Sequence, residues 1–127
     1  MNGLLLKGDG AGGFTPLSIQ QSGIYIPGNG KALVRLQSSK GNYLVAASQN
    51  KDVLKLYELK RKTGSIRVAP DDISALIRFK NGKTRKQEFY YGDSFLSQSA
   101  RFIKLDSNML NITITDSKGK TRTVNLP

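Results

Sequence analysis

The 127-residue sequence contains no cysteine, no histidine and no tryptophan. Without cysteine there is neither a disulfide framework nor a thiolate metal site. The lack of histidine excludes a Ser-His-Asp triad, a histidine metal site and histidine acid–base catalysis. Hydrolysis by paired carboxylates is the chemistry that remains to be weighed.

Acidic residues are few, with nine in the chain. Glycoside hydrolysis requires two carboxylates on either side of a cleft. Most of the nine lie beside Gly, Asn, Ser or Lys, where turn formation accounts for them. Only Glu88 and Asp93, which flank an aromatic segment, stand out as a pair, and we interpret them as a strand salt bridge and a turn cap. We therefore predict no catalytic residues and no enzymatic activity.

A glycine-rich stretch, Gly8-Asp9-Gly10-Ala11-Gly12-Gly13, formally matches the dinucleotide fingerprint G-x-G-x-x-G. A dinucleotide site needs a helix to begin there, so that its amides meet the pyrophosphate. The extended sequence Phe14-Thr15-Pro16 follows instead, and we predict no cofactor. Asp9 is also the only carboxylate nearby, whereas calcium requires six to eight oxygen ligands. The sequence therefore predicts no metal site.

Long apolar runs are also missing. The longest are Leu4–Leu6 and Tyr43–Ala47, which are far too short to cross a bilayer. The first seven residues lack the length and order of a signal peptide. If the parent protein is exported, we expect its signal to lie outside this chain.

Positive charge is abundant, because the formal net charge is +11 and the isoelectric point is near 10.1. A net charge of this sign and size favours binding to nucleic acid, an acidic polysaccharide or an anionic surface. Basic residues occur throughout both halves of the chain, with the densest cluster at Lys60-Arg61-Lys62. A spread of this kind also fits lysines that solubilise the protein and protect strand edges.

Short alternating segments separated by Gly, Pro and Asn predict an all-β fold with under about 10% helix. Strands near 32–36, 43–47 and 53–59 form a short antiparallel meander similar to a propeller blade. Lys60–Gly64 interrupts the pattern, which divides the chain into domains 1–62 and 63–127. The second domain is predicted to be a small antiparallel β-sandwich or barrel-like unit, with a hairpin at Asn81-Gly82.

The segment from Glu88 to Arg101 combines four aromatic residues, a Gly-Asp turn and a Ser-Gln-Ser triplet. Its hydroxyl, amide and aromatic groups could contact a sugar or a peptide. Alternatively, the polar groups satisfy backbone atoms at a strand corner and the aromatics fill a core. The candidate ligand-binding residues are Tyr90, Tyr91, Phe95, Ser97, Gln98 and Ser99.

Residues 92–101 resemble the signature of the ASPIC/UnbV domain, in which glycine and aromatic positions precede Leu-Ser-Gln-Ser. Residues 3–59, with an apolar strand, a Gly-rich turn and Phe14-Thr15, resemble an FG-GAP or VCBS propeller blade. The resemblance implies the C-terminal fragment of a larger exported protein of the Bacteroidetes type. It also implies an extracellular or cell-envelope binding or adhesion module, with glycan or protein as ligand and no established reaction.

Two other functions remain open at this level. The charge and the aromatics near basic hairpins suggest a nucleic-acid-binding β domain, and a structural cap of a propeller is the third reading. Because one and a half blades leave a sheet without neighbours, we predict a homodimer through the blade-like sheet, against the alternative of one merged core.

Overall fold

The computed structural model describes residues 3–61, 63–92 and 97–127, and strands make up most of its regular structure. Strand accounts for 52% and helix for 3%, which confirms the all-β prediction. The elements are β1 (Leu5–Gly8), β2 (Phe14–Leu17), α1 (Ile19–Ser22), β3 (Gly30–Gln37), β4 (Tyr43–Gln49), β5 (Asp52–Glu58), β6 (Ser65–Arg67), β7 (Asp72–Phe79), β8 (Thr84–Glu88), β9 (Phe102–Lys104), β10 (Met109–Asp116) and β11 (Thr121–Asn125).

The glycine-rich stretch forms the turn of a hairpin between β1 and β2. The side chain of Asp9 accepts hydrogen bonds from the amides of Ala11 and Gly13, at 2.7 and 3.0 Å. These two bonds hold the pKa of Asp9 below its ordinary value, and the bond from Ala11 has the larger effect. The stretch leads into a strand, and the one-turn helix α1 begins only after Ser18, which caps it.

The first large sheet has the order β3-β4-β5 and is antiparallel throughout. It reproduces the predicted meander. The central strand β4 carries the apolar run Tyr43–Ala47, of which Ala46 and Ala47 are buried and the rest half-buried. Part of this sheet is open to solvent, because Val53, Leu54 and Leu56 of the neighbouring β5 are exposed.

The second large sheet has the order β11-β10-β7-β8. Alternation along β7 and β10 turns one set of side chains inward and leaves the other in contact with solvent. The inward set joins the main hydrophobic core, which consists of Val68, Ala75, Ile77, Phe89, Ile103, Met109, Ile112 and Ile114. The short pair β6-β9 contributes Ile103 to this core. Over the described ranges, none of the sheets closes into a barrel.

Two turns of the second large sheet share one geometry. Gly82 and Gly119 both adopt left-handed backbone conformations, with φ of 80° and 79°. Each belongs to the repeated sequence Gly-Lys-Thr-Arg, and each amide bonds back to the carbonyl three residues earlier. Glycine supplies this conformation without steric cost, so common turn chemistry explains the repeat.

The predicted boundary near residue 62 is crossed by specific contacts. The amide of Ala100 donates to the carbonyl of Arg35 at 2.7 Å, and the amide of Arg35 donates to Ser99 Oγ at 3.2 Å. The ring of Phe102 packs edge-on against Tyr43, with centroids 5.6 Å apart. Residues 99–102 therefore lie against the first large sheet, and β3 has a hydrogen-bonded neighbour on its outer side.

Two smaller features complete the fold. Residues Pro70–Asp71 form a turn that leads directly into β7. Within the described part of the chain, no helix has the length and apolar character needed to cross a membrane.

Candidate functional site

A polar cleft of about 680 Å³ lies where residues 97–102 meet the β3–β4 turn. The turn forms one wall, and the other wall consists of the end of β6, the segment between β6 and β7, Tyr91 and the residues that lead into β9. The cleft is lined by Gln37, Ser38, Ser39, Gly41, Arg67, Val68, Pro70, Tyr91, Gln98, Ser99, Ala100, Arg101 and Phe102. Residues from both predicted domains thus share one surface.

Arg101 organises the second wall. Its guanidinium donates to the carbonyl of Pro70 at 3.0 Å and to the hydroxyl of Tyr91 at 2.6 Å, and it also donates to the carbonyl of Asp72. The guanidinium carbon lies 4.3 Å from the centroid of the Tyr91 ring, a favourable cation–π geometry. The Nε atom of Arg101 is buried without a hydrogen-bond partner. Arg101 therefore holds Tyr91 in place against the turn that precedes β7.

An ion pair lies behind this wall. The carboxylate of Asp72 is fully buried and accepts two hydrogen bonds from Arg122, each 2.5 Å long, and one from the amide of Ala69 at 2.7 Å. The bond to Arg122 is the main reason why the pKa of Asp72 falls below its ordinary value, against the opposing effect of burial. The same contact raises the pKa of Arg122. Asp72 is thus neutralised by its partner.

The Ser-Gln-Ser triplet is occupied mainly with backbone atoms. Ser99 is buried, and its hydroxyl accepts from the amide of Arg35. Gln98 accepts from the amide of Gly92 through its side-chain oxygen and donates to the Ser99 carbonyl at 3.0 Å. These are the contacts expected of polar side chains at a strand corner. Gln98 is nevertheless exposed, and its amide retains capacity for a further bond.

The candidate residues from the sequence separate into groups. Tyr91, Gln98 and Ser99 line the cleft together. Tyr90 is exposed and borders a smaller hollow beside Phe89. Ser97 is half-buried and lies outside the cleft lining, while Phe95 lies outside the described residues.

Glu88 and Asp93, the acidic pair noted in the sequence, have separate outcomes. Glu88 forms an exposed salt bridge with Lys86 at 2.8 Å, which confirms its interpretation as a strand ion pair. Asp93 lies outside the described residues. Among the residues that the structure describes, no group of three acidic side chains is placed to hold a metal ion.

Sequence reasoning missed the basic and hydroxyl groups of the cleft. Arg67 and Arg101 both line it, and so do Ser38 and Ser39 from the opposite wall. Arg101 directly follows the Ser-Gln-Ser triplet, so the sequence offered a signal for it. The sequence gives no such signal for Ser38 and Ser39, because the β3–β4 turn reaches the cleft only through tertiary contacts.

The cleft combines hydrogen-bonding groups, one largely exposed aromatic ring and a positive potential. Tyr91 is 67% exposed, so the part of its ring that does not contact Arg101 faces solvent. Of the described residues, no carboxylate lines the cleft, while two arginines do. Such an arrangement can bind a neutral or anionic polar ligand by hydrogen bonds, stacking and charge.

No family model matches the chain, and neither a curated protein nor a solved structure shows significant similarity to it.

Proposed function

We propose that this protein is a non-catalytic binding module whose cleft takes a glycan that carries carboxylate or sulfate groups. The observation that carries the proposal is the convergence of Tyr91, Arg67 and Arg101 on one polar cleft. Aromatic rings stack on the apolar faces of sugars, Arg67 can donate hydrogen bonds to carboxylate or sulfate, and Arg101 positions Tyr91 and adds positive charge.

Preorganisation of the second wall supports a binding role. Tyr91 is fixed by its hydrogen bond to the Pro70 carbonyl at 3.1 Å and by its contacts with Arg101. A ring that is already ordered loses little conformational entropy when a ligand binds. The resemblance to FG-GAP/VCBS and ASPIC/UnbV proteins stays a hypothesis, and it agrees with a surface-exposed binding module of the cell envelope.

Nucleic acid is the alternative ligand, and it has less support from the geometry. The solvent face of the second large sheet is rich in serine, threonine and asparagine, and its described residues include no aromatic side chain on which a base could stack. This face consists of Ser74, Leu76, Arg78, Thr84, Lys86, Glu88, Asn111, Thr113, Thr115, Thr121, Thr123 and Asn125.

The test is a glycan array that includes uronic-acid and sulfated oligosaccharides, followed by calorimetry on the hits. Tyr91→Ala should abolish measurable binding, because it removes the stacking surface. Arg67→Gln should weaken binding by about tenfold, as expected for one lost charge-assisted contact. The matched control is Arg78→Gln, which removes an exposed arginine from the distant sheet face and should leave affinity unchanged.

Two outcomes would overturn the proposal. Equal losses in Arg67→Gln and Arg78→Gln would show that net charge, and not the cleft, attracts the ligand. Binding to single-stranded nucleic acid that falls steeply with salt, without glycan binding, would favour the alternative.

A further inference from the structure

A second cavity, an apolar groove of about 1220 Å³, lies on one face of the first large sheet. Leu33 of β3 and Ala47 of β4 are directly paired, so their side chains share the face that forms the floor of the groove. The walls are residues 3–5, which lead into β1, and residues 24–30, which lead into β3. Most of the lining side chains are apolar, so the groove suits a hydrocarbon chain.

The wall at residues 24–30 is held in place by hydrogen bonds to the sheet. The hydroxyl of Tyr57 accepts from the amide of Tyr25 at 3.1 Å and donates to the carbonyl of the same residue. The amide of Gly28 donates to the side-chain oxygen of Gln49 at 2.7 Å. The groove is therefore formed before any ligand arrives, which lowers the entropic cost of binding.

The apolar groove and the polar cleft adjoin each other. Ser99 lines both of them. Tyr43 lines the groove and Phe102 lines the cleft, and these two rings contact each other edge-on. Arg35 lines the groove and Gln37 the cleft, and these residues lie two apart on one face of β3, about 7 Å from each other. A single molecule can therefore occupy both cavities.

Positive charge is concentrated where the two cavities meet. Arg35 contributes to the groove, Arg67 and Arg101 to the cleft, and the ammonium group of Lys104 lies 5.5 Å from the ring centroid of Tyr43. Of the described residues, no carboxylate lines either cavity. The junction therefore favours a ligand whose acidic group lies beside its hydrocarbon chain.

We propose that the groove and the cleft together bind one acidic glycolipid. Its hydrocarbon chain lies in the groove over Leu33, and its acidic sugar lies in the cleft beside Tyr91 and Arg67. This inference rests on the proposed function of the cleft, and it adds the class of ligand, an acidic sugar that carries a long hydrocarbon chain. Each methylene that the groove buries should strengthen binding about threefold to fourfold.

The test compares three small probes by calorimetry below their critical micelle concentrations. They are dodecyl β-D-glucuronide, methyl β-D-glucuronide and the uncharged dodecyl β-D-glucoside. The dodecyl glucuronide should bind at least about a hundredfold more tightly than the methyl glucuronide, a factor that burial of about four methylenes supplies. It should also bind at least about tenfold more tightly than the glucoside, which lacks the carboxylate.

Single substitutions assign the two halves of the ligand. Leu33→Asp should reduce the affinity for dodecyl glucuronide to that for methyl glucuronide, because it places a carboxylate in the groove. Leu56→Asp is the matched control, since Leu33 and Leu56 are 54% and 59% exposed but lie on opposite faces of the same sheet. It should leave both affinities unchanged. Arg67→Gln should weaken both glucuronides about tenfold.

The outcomes separate this inference from the proposed function. Equal affinity for the two glucuronides, or no binding of dodecyl glucuronide alongside hits on the glycan array, would overturn the glycolipid and leave the glycan cleft. Equal affinity for dodecyl glucuronide and dodecyl glucoside, with no effect of Arg67→Gln, would overturn both.

Two further results would overturn the assignment of the groove. Equal losses in Leu33→Asp and Leu56→Asp would show that the hydrocarbon chain binds elsewhere. Light scattering that reveals a dimer, dissociated by Leu33→Asp, would show that a second copy of the chain fills the groove.

Discussion

The buried pair of Asp72 and Arg122 allows a quantitative prediction about stability. Arg122→Ala removes two charge-assisted hydrogen bonds and leaves a fully buried carboxylate that keeps the bond from the Ala69 amide. Breaking a buried ion pair costs about 3–5 kcal/mol. Because the Arg122 side chain is 48% exposed, water can reach part of the vacated space. We therefore expect a loss of about 2–4 kcal/mol in the free energy of unfolding at pH 7.

The pH dependence of this loss has a definite sign. In the unmodified protein the pKa of Asp72 is lowered, so its stabilisation is present above the ordinary value of 3.8 and is lost as pH falls through the folded-state pKa. In Arg122→Ala the main cause of the lowered pKa is gone while burial still raises it, so the pKa of Asp72 should be higher than in the unmodified protein, and protonation would remove the unpaired charge. The difference in stability between the two proteins should consequently narrow as pH falls from 7 towards 4.

Urea unfolding at several pH values measures both the loss of unfolding free energy in Arg122→Ala and the change of that loss with pH. Lys86→Ala is the control, because it breaks an exposed salt bridge that should contribute less than about 1 kcal/mol. The reasoning would be refuted if Arg122→Ala cost no more than Lys86→Ala, or if the difference from the unmodified protein widened on acidification.

Three further predictions concern local structure. Ser99→Ala should cost about 1–2 kcal/mol, because it removes the buried hydroxyl that accepts a hydrogen bond from the Arg35 amide, whereas exposed Gln98→Ala should cost under about 1 kcal/mol. The opposite order in thermal unfolding would contradict these assignments. Gly82→Ala and Gly119→Ala should destabilise the protein by similar amounts, about 1 kcal/mol each, since both positions have φ near 80°; clearly unequal losses would show that the two turns differ. NMR titration should give Asp9 a pKa below 3.8, and a higher value would mean that its bonds to the turn amides do not persist in solution.

The fold was largely predictable because its signals are local. Asn81-Gly82 predicted a hairpin, and these residues form the turn between β7 and β8. Alternation along residues 32–36 predicted a half-buried strand, and this strand is β3. The structural alternative for Ser99 was also predictable in kind, since serine at a strand corner bonds to the backbone.

The cleft was only partly predictable, because one of its walls is assembled over long sequence distances. Tyr91 and Gln98 come from the conspicuous aromatic segment, but Ser38 and Ser39 belong to an ordinary turn of the first sheet. Likewise, Asp72 and Arg122 are 50 residues apart, and neither position shows a pattern that predicts a buried ion pair. Local chemistry specifies turns and strands, whereas the meeting of distant segments depends on the packing of the whole chain.

The bond between Arg35 and Ser99 spans 64 residues, and this separation has a consequence for synthesis. The strands β3, β4 and β5 are synthesised before Ser99, and their short turns allow them to pair without it. At the typical elongation rate of about 5–20 residues per second, the outer edge of β3 stays open for roughly 3–13 seconds. The nascent chain therefore passes through an interval in which both edges of an apolar sheet are unprotected, and this is the stage at which chaperone binding would have its greatest effect on yield.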